Sequence, residues 1–368
     1  MGDAYKILVY SPKFGHSHIN FMGSIADTLA EEGHNVTTLM PVLAPNMRNG
    51  TVKTRIIYIL ASEETRRTYD EMWNHHSQLF QSSIYNAYHA FIEGRGFGTM
   101  FTQTCRETIE TEGLLNELRD EHFDVMLTEN FDMCGMAMSH FISPKATCLV
   151  STSVFFGEQK EELGVPPLLS FNPSMYTSSL DVNSLISRAW NVYAEFLVKM
   201  VYGPVREMTN ALFKEKYGSD YPSIYMMREW PPSYLTQEWV HCRKQLQEEY
   251  LVLEKQDLSD SSKLITAVGR LLNDRSIIGR AKHISRMLKN KPFSSREKLI
   301  KHVEFAAEFG PSDALRPQSH EMSIMEYFNL DIFVLIAFVI ASFFILALIV
   351  LKTIAASFIV LKRMEKCA

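Results

Sequence analysis

The chain has 368 residues and a formal net charge of -5, with a pI near 6.2. That is length enough for two domains, and the acidic balance argues against a polyanion partner. No run of lysine and arginine interleaved with aromatics marks a nucleic-acid groove, so that class is set aside.

From Tyr5 to Pro41 the sequence reads as a strand, a loop, an amphipathic helix and a second strand. Ile7, Leu8 and Val9 make an apolar run, Pro12 and Gly15 break it, and helical spacing resumes through Phe21, Ile25 and Leu29 until Gly33. Val36 to Met40 is the second strand. In an open parallel sheet ligands bind beyond the carboxyl ends of the strands, so the loop after Tyr10 places His16 and His18 at a cleft. A helix start disfavours an imidazolium and leaves a neutral ring that can accept a proton. An ordinary helix-start histidine is the competing reading.

Arg55 to Leu60 reads as a third strand, with helices over Glu63 to Ala90 and Thr99 to Arg119. Gly94, Gly96 and Gly98 read as a loop between them. Their spacing is not G-x-G-x-x-G and no strand precedes them, so they are no phosphate cradle.

Phe123 to Thr128 is a strand that ends in Glu129, Asn130, Phe131 and Asp132. A carboxylate there opens on the same sheet edge as the loop carrying His18, and it can hold the second ring nitrogen of a general base. Glu129 and Asp132 are the two candidates, and a solvated pair capping the next helix is the alternative. Ala146 to Val150 is a fifth strand. A loop rich in proline and aromatics follows, Ser151 to Tyr176, and then a helical stretch from Asn183 to Lys216.

Between Met226 and Tyr250 no run of four to eight β-formers is present, so no strand is expected there. Ser259 to Asp274, Ser276 to Asn290 and Ser294 to Phe309 read as serine-capped amphipathic helices that must pack on the amino-terminal domain or on each other. Ile332 to Leu351 is twenty uncharged residues, the length that crosses hydrocarbon. The span ends at Lys352 or continues to Leu361 with that lysine snorkelling. Lys352, Lys362, Arg363 and Lys366 follow it, while Glu321, Glu326 and Asp331 precede it, which places the tail in the cytosol and the body in a lumen.

Five cysteines, Cys105, Cys134, Cys148, Cys242 and Cys367, are odd in number and lack C-x-x-C spacing. They read as buried small hydrophobes, with pairing of two of them in an oxidising lumen as the alternative. No metal site is indicated, since adjacent His75 and His76 point apart in a helix. Of the sequons Asn35-Val-Thr and Asn49-Gly-Thr, the first opens a core strand. Asn49, in a turn-like stretch, is the better glycan acceptor.

The motif G-H-S-H-x-x-F-M-G followed by E-G-H-N-V-T resembles the amino-terminal half of the UDP-glucuronosyltransferases (UDP-glycosyltransferases), especially the nematode branch. The resemblance runs from Tyr5 to about Tyr225, through Tyr217 to Ile224. It implies an α/β, GT-B-like fold with an amino-terminal Rossmann-type parallel sheet. In that family the residue aligned with His18 is the general base. Backward alignment from Gly33-His34 selects His18 over His16. An acidic residue, commonly Asp, stands at the position of Glu129. The loop after the fifth strand resembles the acceptor wall, which makes Phe155, Phe156, Pro166 and Tyr176 acceptor-binding candidates. The family also carries a cleaved leader immediately before the first strand. MGDAYKILVY has no apolar leader region, so either an upstream leader is lost or the chain is tail-anchored with its body in the cytosol.

The carboxyl half departs from the family. Its donor signature, W-x-P-Q, H-x-G-x-x-S, G-x-P and an Asp-Gln pair, is not found between Met226 and Ala368. Trp230-Pro231-Pro232-Ser233 is the nearest echo. Resemblance resumes at Leu253. The expected domains are therefore an acceptor-binding Rossmann-like domain over 5–225, an atypical junction over 226–252, and a helical remnant of the donor domain over 253–330. A transmembrane helix over 332–351 and a cytosolic tail over 352–368 complete the chain.

The resemblance implies transfer of a sugar from a UDP-sugar to a hydroxyl of a small lipophilic acceptor, with inversion and no cofactor beyond that co-substrate. Turnover is expected to be impaired by the missing donor motif. The alternative is a non-catalytic truncated isoform that binds lipophilic ligands or pairs with full-length relatives. Expected partners are the acceptor, the UDP-sugar if the donor site is restored, membrane lipid, and homo- or hetero-oligomers with family members. The expected location is the endoplasmic reticulum membrane with a lumenal body.

Overall fold

The computed structural model describes residues 4–79, 85–152, 169, 172–177, 181, 183–222, 233–235, 261–290, 293–310 and 330–365. It divides into two compact units, Met1–Arg316 and Pro317–Ala368. In the first, β1 (Lys6–Tyr10), α1 (His16–Glu31), β2 (Asn35–Val42) and β3 (Arg55–Leu60) are followed by α2 (Glu63–Leu79), α3 (Ala87–Glu110) and α4 (Leu114–Asp120). Then come β4 (Val125–Glu129), α5 (Cys134–Ile142), β5 (Ala146–Val150), α6 (Leu185–Tyr217) and β6 (Ser233–Leu235). Three further helices, α7 (Ser261–Asn273), α8 (Arg275–Lys289) and α9 (Ser295–Phe309), close this unit.

The strands form one sheet in the order β3-β2-β1-β4-β5-β6, and every pairing is parallel. This is the doubly wound nucleotide-fold order, whose switch point falls between β1 and β4. Both faces of such a sheet are covered, so its central strands are mostly apolar. Leu8, Tyr10, Leu39 and Met126 enter one core with Phe101 and Val201 from α3 and α6. Ile7, Val9, Val125 and Leu127 enter the other with Met22, Ile25 and Leu29 of α1.

Several expectations are corrected. The helix expected over Glu63 to Ala90 is two, because Asn86 caps a new one by accepting the Tyr88 and His89 amides. Gly94, Gly96 and Gly98 are not a loop but lie inside α3. Gly94 and Gly98 are small because α6 crosses there: a Cβ on Gly94 would stand 2.1 Å from the Met200 carbonyl oxygen, and one on Gly98 would stand 2.7 Å from Met208 Sδ, while one on Gly96 would stand 3.1 Å from Met72 Cγ of α2. The helix expected over Thr99 to Arg119 breaks at Gly113, whose φ of 74° suits glycine. The stretch with no expected strand contains β6, three residues added in parallel beside β5. Its length falls below the four to eight residues that mark a strand in sequence. Cys105 and Cys134 are not merely buried thiols but form a disulfide from α3 to the start of α5, and Cys148 is buried in β5.

The last of the three closing helices does pack on the amino-terminal sheet. Val303, Ala306 and Ala307 of α9 join the core that also holds α1, and Arg296 pairs with Glu31 and Glu32 at 2.7 Å each. The second unit contains α10 (Leu330–Glu365). Among the described residues no helix is long and apolar enough to cross a membrane. The span expected at Ile332–Leu351 lies within α10, some of its side chains fall outside the described set, and it is not supported at the level of structure.

Candidate functional site

Beyond Tyr10 the chain stays tied to β2. Ser11 and Lys13 donate backbone hydrogen bonds to the Leu39 and Pro41 carbonyls at 2.9 and 2.7 Å. That fixes the loop before α1, whose N-cap is Gly15 in extended conformation. A Cβ on Gly15 would approach His18 Cδ2 to 3.1 Å, so the missing side chain leaves the ring its place. His18 lies in the first turn of α1, and its ring packs on Phe14 and Phe131 with centroids 4.5 and 4.9 Å away. His16 is exposed.

Glu129 ends β4, the strand beside β1, with Tyr10 opposite Thr128 in the register. Its Oε1 stands 2.5 Å from His18 Nδ1. The histidine side chain is 18% exposed and the carboxylate 2%. Thr152, just beyond β5, donates its hydroxyl to the same Oε1 at 2.6 Å. A carboxylate on Nδ1 selects the tautomer with the proton there, which leaves Nε2 with its lone pair as the accepting nitrogen. The pair therefore sits at the switch point of the sheet, where this fold class binds ligands.

Asp132 is placed elsewhere. It accepts the Tyr10 hydroxyl and the Cys134 amide, both at 2.8 Å. Burial pushes its carboxyl up to about 6, with the nearby Glu129 charge adding to the rise. Burial, and then the Asp132 charge, push the Tyr10 phenol well up. Asp132 thus orders the loop after β4 rather than orienting His18.

Phe155, Phe156 and Pro166 lie outside the described residues. Tyr176 is partly buried, its carbonyl accepts the Tyr85 hydroxyl at 3.0 Å, and it packs against the core that contains Phe97 and Phe101. Asn49 has its amide engaged: Oδ1 accepts from Lys13 Nζ at 3.0 Å and Nδ2 donates to the Tyr58 hydroxyl at 2.7 Å. Among the described residues no group of three or more His, Cys, Asp or Glu side chains could hold a metal.

Sequence reasoning missed Thr152 and a second histidine–carboxylate pair. Thr152 was open to the same edge rule that found Glu129, since it follows the strand next to β4. The second pair joins His76 Nδ1 of α2 to Glu93 Oε1 of α3 at 2.5 Å, and no sequence motif announces it.

A doubly wound parallel sheet with an imidazole and a carboxylate meeting at its switch point defines an α/β protein. The sequence matches the profile of the family described as UDP-glucoronosyl and UDP-glucosyl transferase over residues 5–235 and 249–367, and the chain belongs to that family. A Caenorhabditis elegans protein named UDP-glucuronosyltransferase ugt-47 is 26% identical over 233 residues, 61% of this chain and 41% of that protein. The ugt-48 protein of the same nematode is 27% identical over 60% of this chain and 42% of its own length. Mouse UDP-glucuronosyltransferase 1A9 is 25% identical over 49% of this chain and 34% of its own length. The chain thus spans less than half the length of the curated relatives it matches.

Proposed function

We propose that this chain is the acceptor-binding half of a UDP-sugar-dependent transferase, with its base in place and its donor half impaired. The observation that carries the reading is the 2.5 Å contact between His18 Nδ1 and Glu129. In this reading Nε2 takes the proton of an acceptor hydroxyl, and Glu129 steadies the imidazolium that forms. The oxygen then attacks the anomeric carbon of a UDP-sugar, UDP leaves from the opposite face and configuration inverts. Proton transfer of this kind contributes ~10²–10⁴ in rate. Positioning of the donor contributes more, and the stretch from Met226 to Ala368 holds no His-x-Gly and no Asp-Gln. The family match is also interrupted between residues 235 and 249.

The acceptor is a small lipophilic molecule, in keeping with the aromatic rings around His18. The body lies in the lumen of the endoplasmic reticulum on a single span at Ile332–Leu351. Twenty uncharged residues followed by Lys352, Lys362, Arg363 and Lys366 support that orientation. The Cys105–Cys134 disulfide supports an oxidising compartment.

Incubation of the purified chain with UDP-glucuronic acid and a phenolic acceptor tests the reading. No conjugate is expected, and a conjugate would defeat the impaired-donor view. Insertion of a relative's donor segment at the 235–249 junction should restore conjugation, and His18→Ala in that restored chain should remove it. Retained turnover in the restored His18→Ala chain would rule out the base.

A further inference from the structure

The rings around His18 continue away from it. Phe131 packs on Phe97 with centroids 6.0 Å apart, and Phe97 meets the His76 ring at 5.9 Å. Trp73 also stacks on His76 at 5.4 Å. His76 is held by Glu93 with the same atoms and the same 2.5 Å separation as His18 by Glu129. Tyr202 packs edge-on against Phe131, the ring that also touches His18, at 5.4 Å, and the Glu93 charge reaches the phenols of both Tyr202 and Tyr176. Both phenols are pushed up by burial first, with the Glu93 charge contributing. This end reaches the surface at Trp73 and His76. Trp73 is 39% exposed, and the His76 and Glu93 side chains are 35% and 11% exposed.

An apolar, aromatic-rich stretch therefore has an imidazole–carboxylate pair at each end. One end offers a proton acceptor at the switch point. The other offers a carboxylate among aromatic faces, which favours a hydrogen-bond donor and suits an ammonium by cation–π attraction.

We propose that the acceptor carries a second hydrogen-bond donor, a hydroxyl or an ammonium, received by Glu93 at the end of the aromatic cluster remote from His18. The proposal rests on the reading of this half as an acceptor site. Glu93 is then a specificity-determining residue, and His76 positions its carboxylate.

The test is calorimetric titration of the full chain in detergent micelles with three probes on one skeleton. These are para-propylphenol and its analogues with the chain ending in a hydroxyl or in an amine. At least one two-ended probe should bind about tenfold tighter than para-propylphenol, and Glu93→Met should erase that advantage while para-propylphenol affinity stays within about twofold. Glu93→Gln distinguishes the two sources: a hydroxyl advantage survives it and an ammonium advantage falls. Equal binding of all three probes to the native chain overturns the inference while leaving the acceptor-site reading intact, and needs no variant. A Glu93→Met chain that loses thermal stability yet keeps the probe preference also overturns it, since the pair would then only fasten α2 to α3. Binding of none of the three defeats the acceptor-site reading itself, and the inference with it.

Discussion

The switch-point edge of the amino-terminal sheet and α9 bury side chains of opposite character. Around β1 and β4 the interior takes in polar groups already matched to one another: Tyr10 with Asp132, and Thr152 and His18 with Glu129. The buried face of α9 is Ile300, Val303, Ala306 and Ala307, and its arginine stays at the surface with Glu31 and Glu32. Burying a polar group is costly unless it is paired, so a cluster of paired ones at a sheet's switch point marks a site. An apolar face on a helix marks only a cover.

The comparison can be broken most forcefully where glycine lets two helices of the sheet region touch. Gly94→Val in α3 should lower stability by about 3 kcal/mol, because the added atoms meet the α6 backbone at Met200. Thermal unfolding by circular dichroism measures it, and an unchanged midpoint would show that α3 and α6 do not approach so closely. Replacing both Cys105 and Cys134 by serine should cost about 3 kcal/mol for a link across 29 residues. Reductant should lower the midpoint of the native chain and leave the double variant unmoved.

Asp132 sharpens the contrast through pH. Its carboxyl is held up at about 6 by burial, above an unfolded value of ~3.9. The folded state therefore holds this proton more tightly than the unfolded one. The stability it contributes is complete below about pH 4 and is lost as pH rises through about 6, a change on the order of 3 kcal/mol. Urea midpoints across that window should fall with rising pH in the native chain, and Asp132→Asn should flatten the slope. The smallest effect belongs to α9: Val303→Ala should cost about 2 kcal/mol. No loss at all would mean that α9 does not cover the sheet.

Much of the site region could be read from sequence for one reason. Strand ends of a parallel sheet share an edge, so the loop after β1 and the residue ending β4 open on the same side. That brings His16, His18 and Glu129 to one edge, and the family resemblance selects His18 of the two histidines. The same rule cannot rank Glu129 above Asp132, which are three residues apart. The choice is made by the Tyr10 hydroxyl, a partner 122 residues away from Asp132 in sequence.

Gly94, Gly96 and Gly98 misled because glycine signals a loop and a tight helix crossing alike, and only the presence of α6 and α2 separates the two. Cys105 and Cys134 carry no spacing motif, since what joins them is the packing of α3 on α5. The three residues of β6 make a strand only because β5 offers them an edge.

The central claim is that Glu129 holds the proton on His18 Nδ1 and leaves Nε2 to receive one. Nitrogen NMR of the histidine-labelled chain near neutral pH reads it directly, with His18→Gln identifying the signal. The account predicts a protonated Nδ1 and an unprotonated Nε2, a balance that Glu129→Gln disturbs. A His18 protonated at Nε2 alone, or one indifferent to the loss of Glu129, would contradict it.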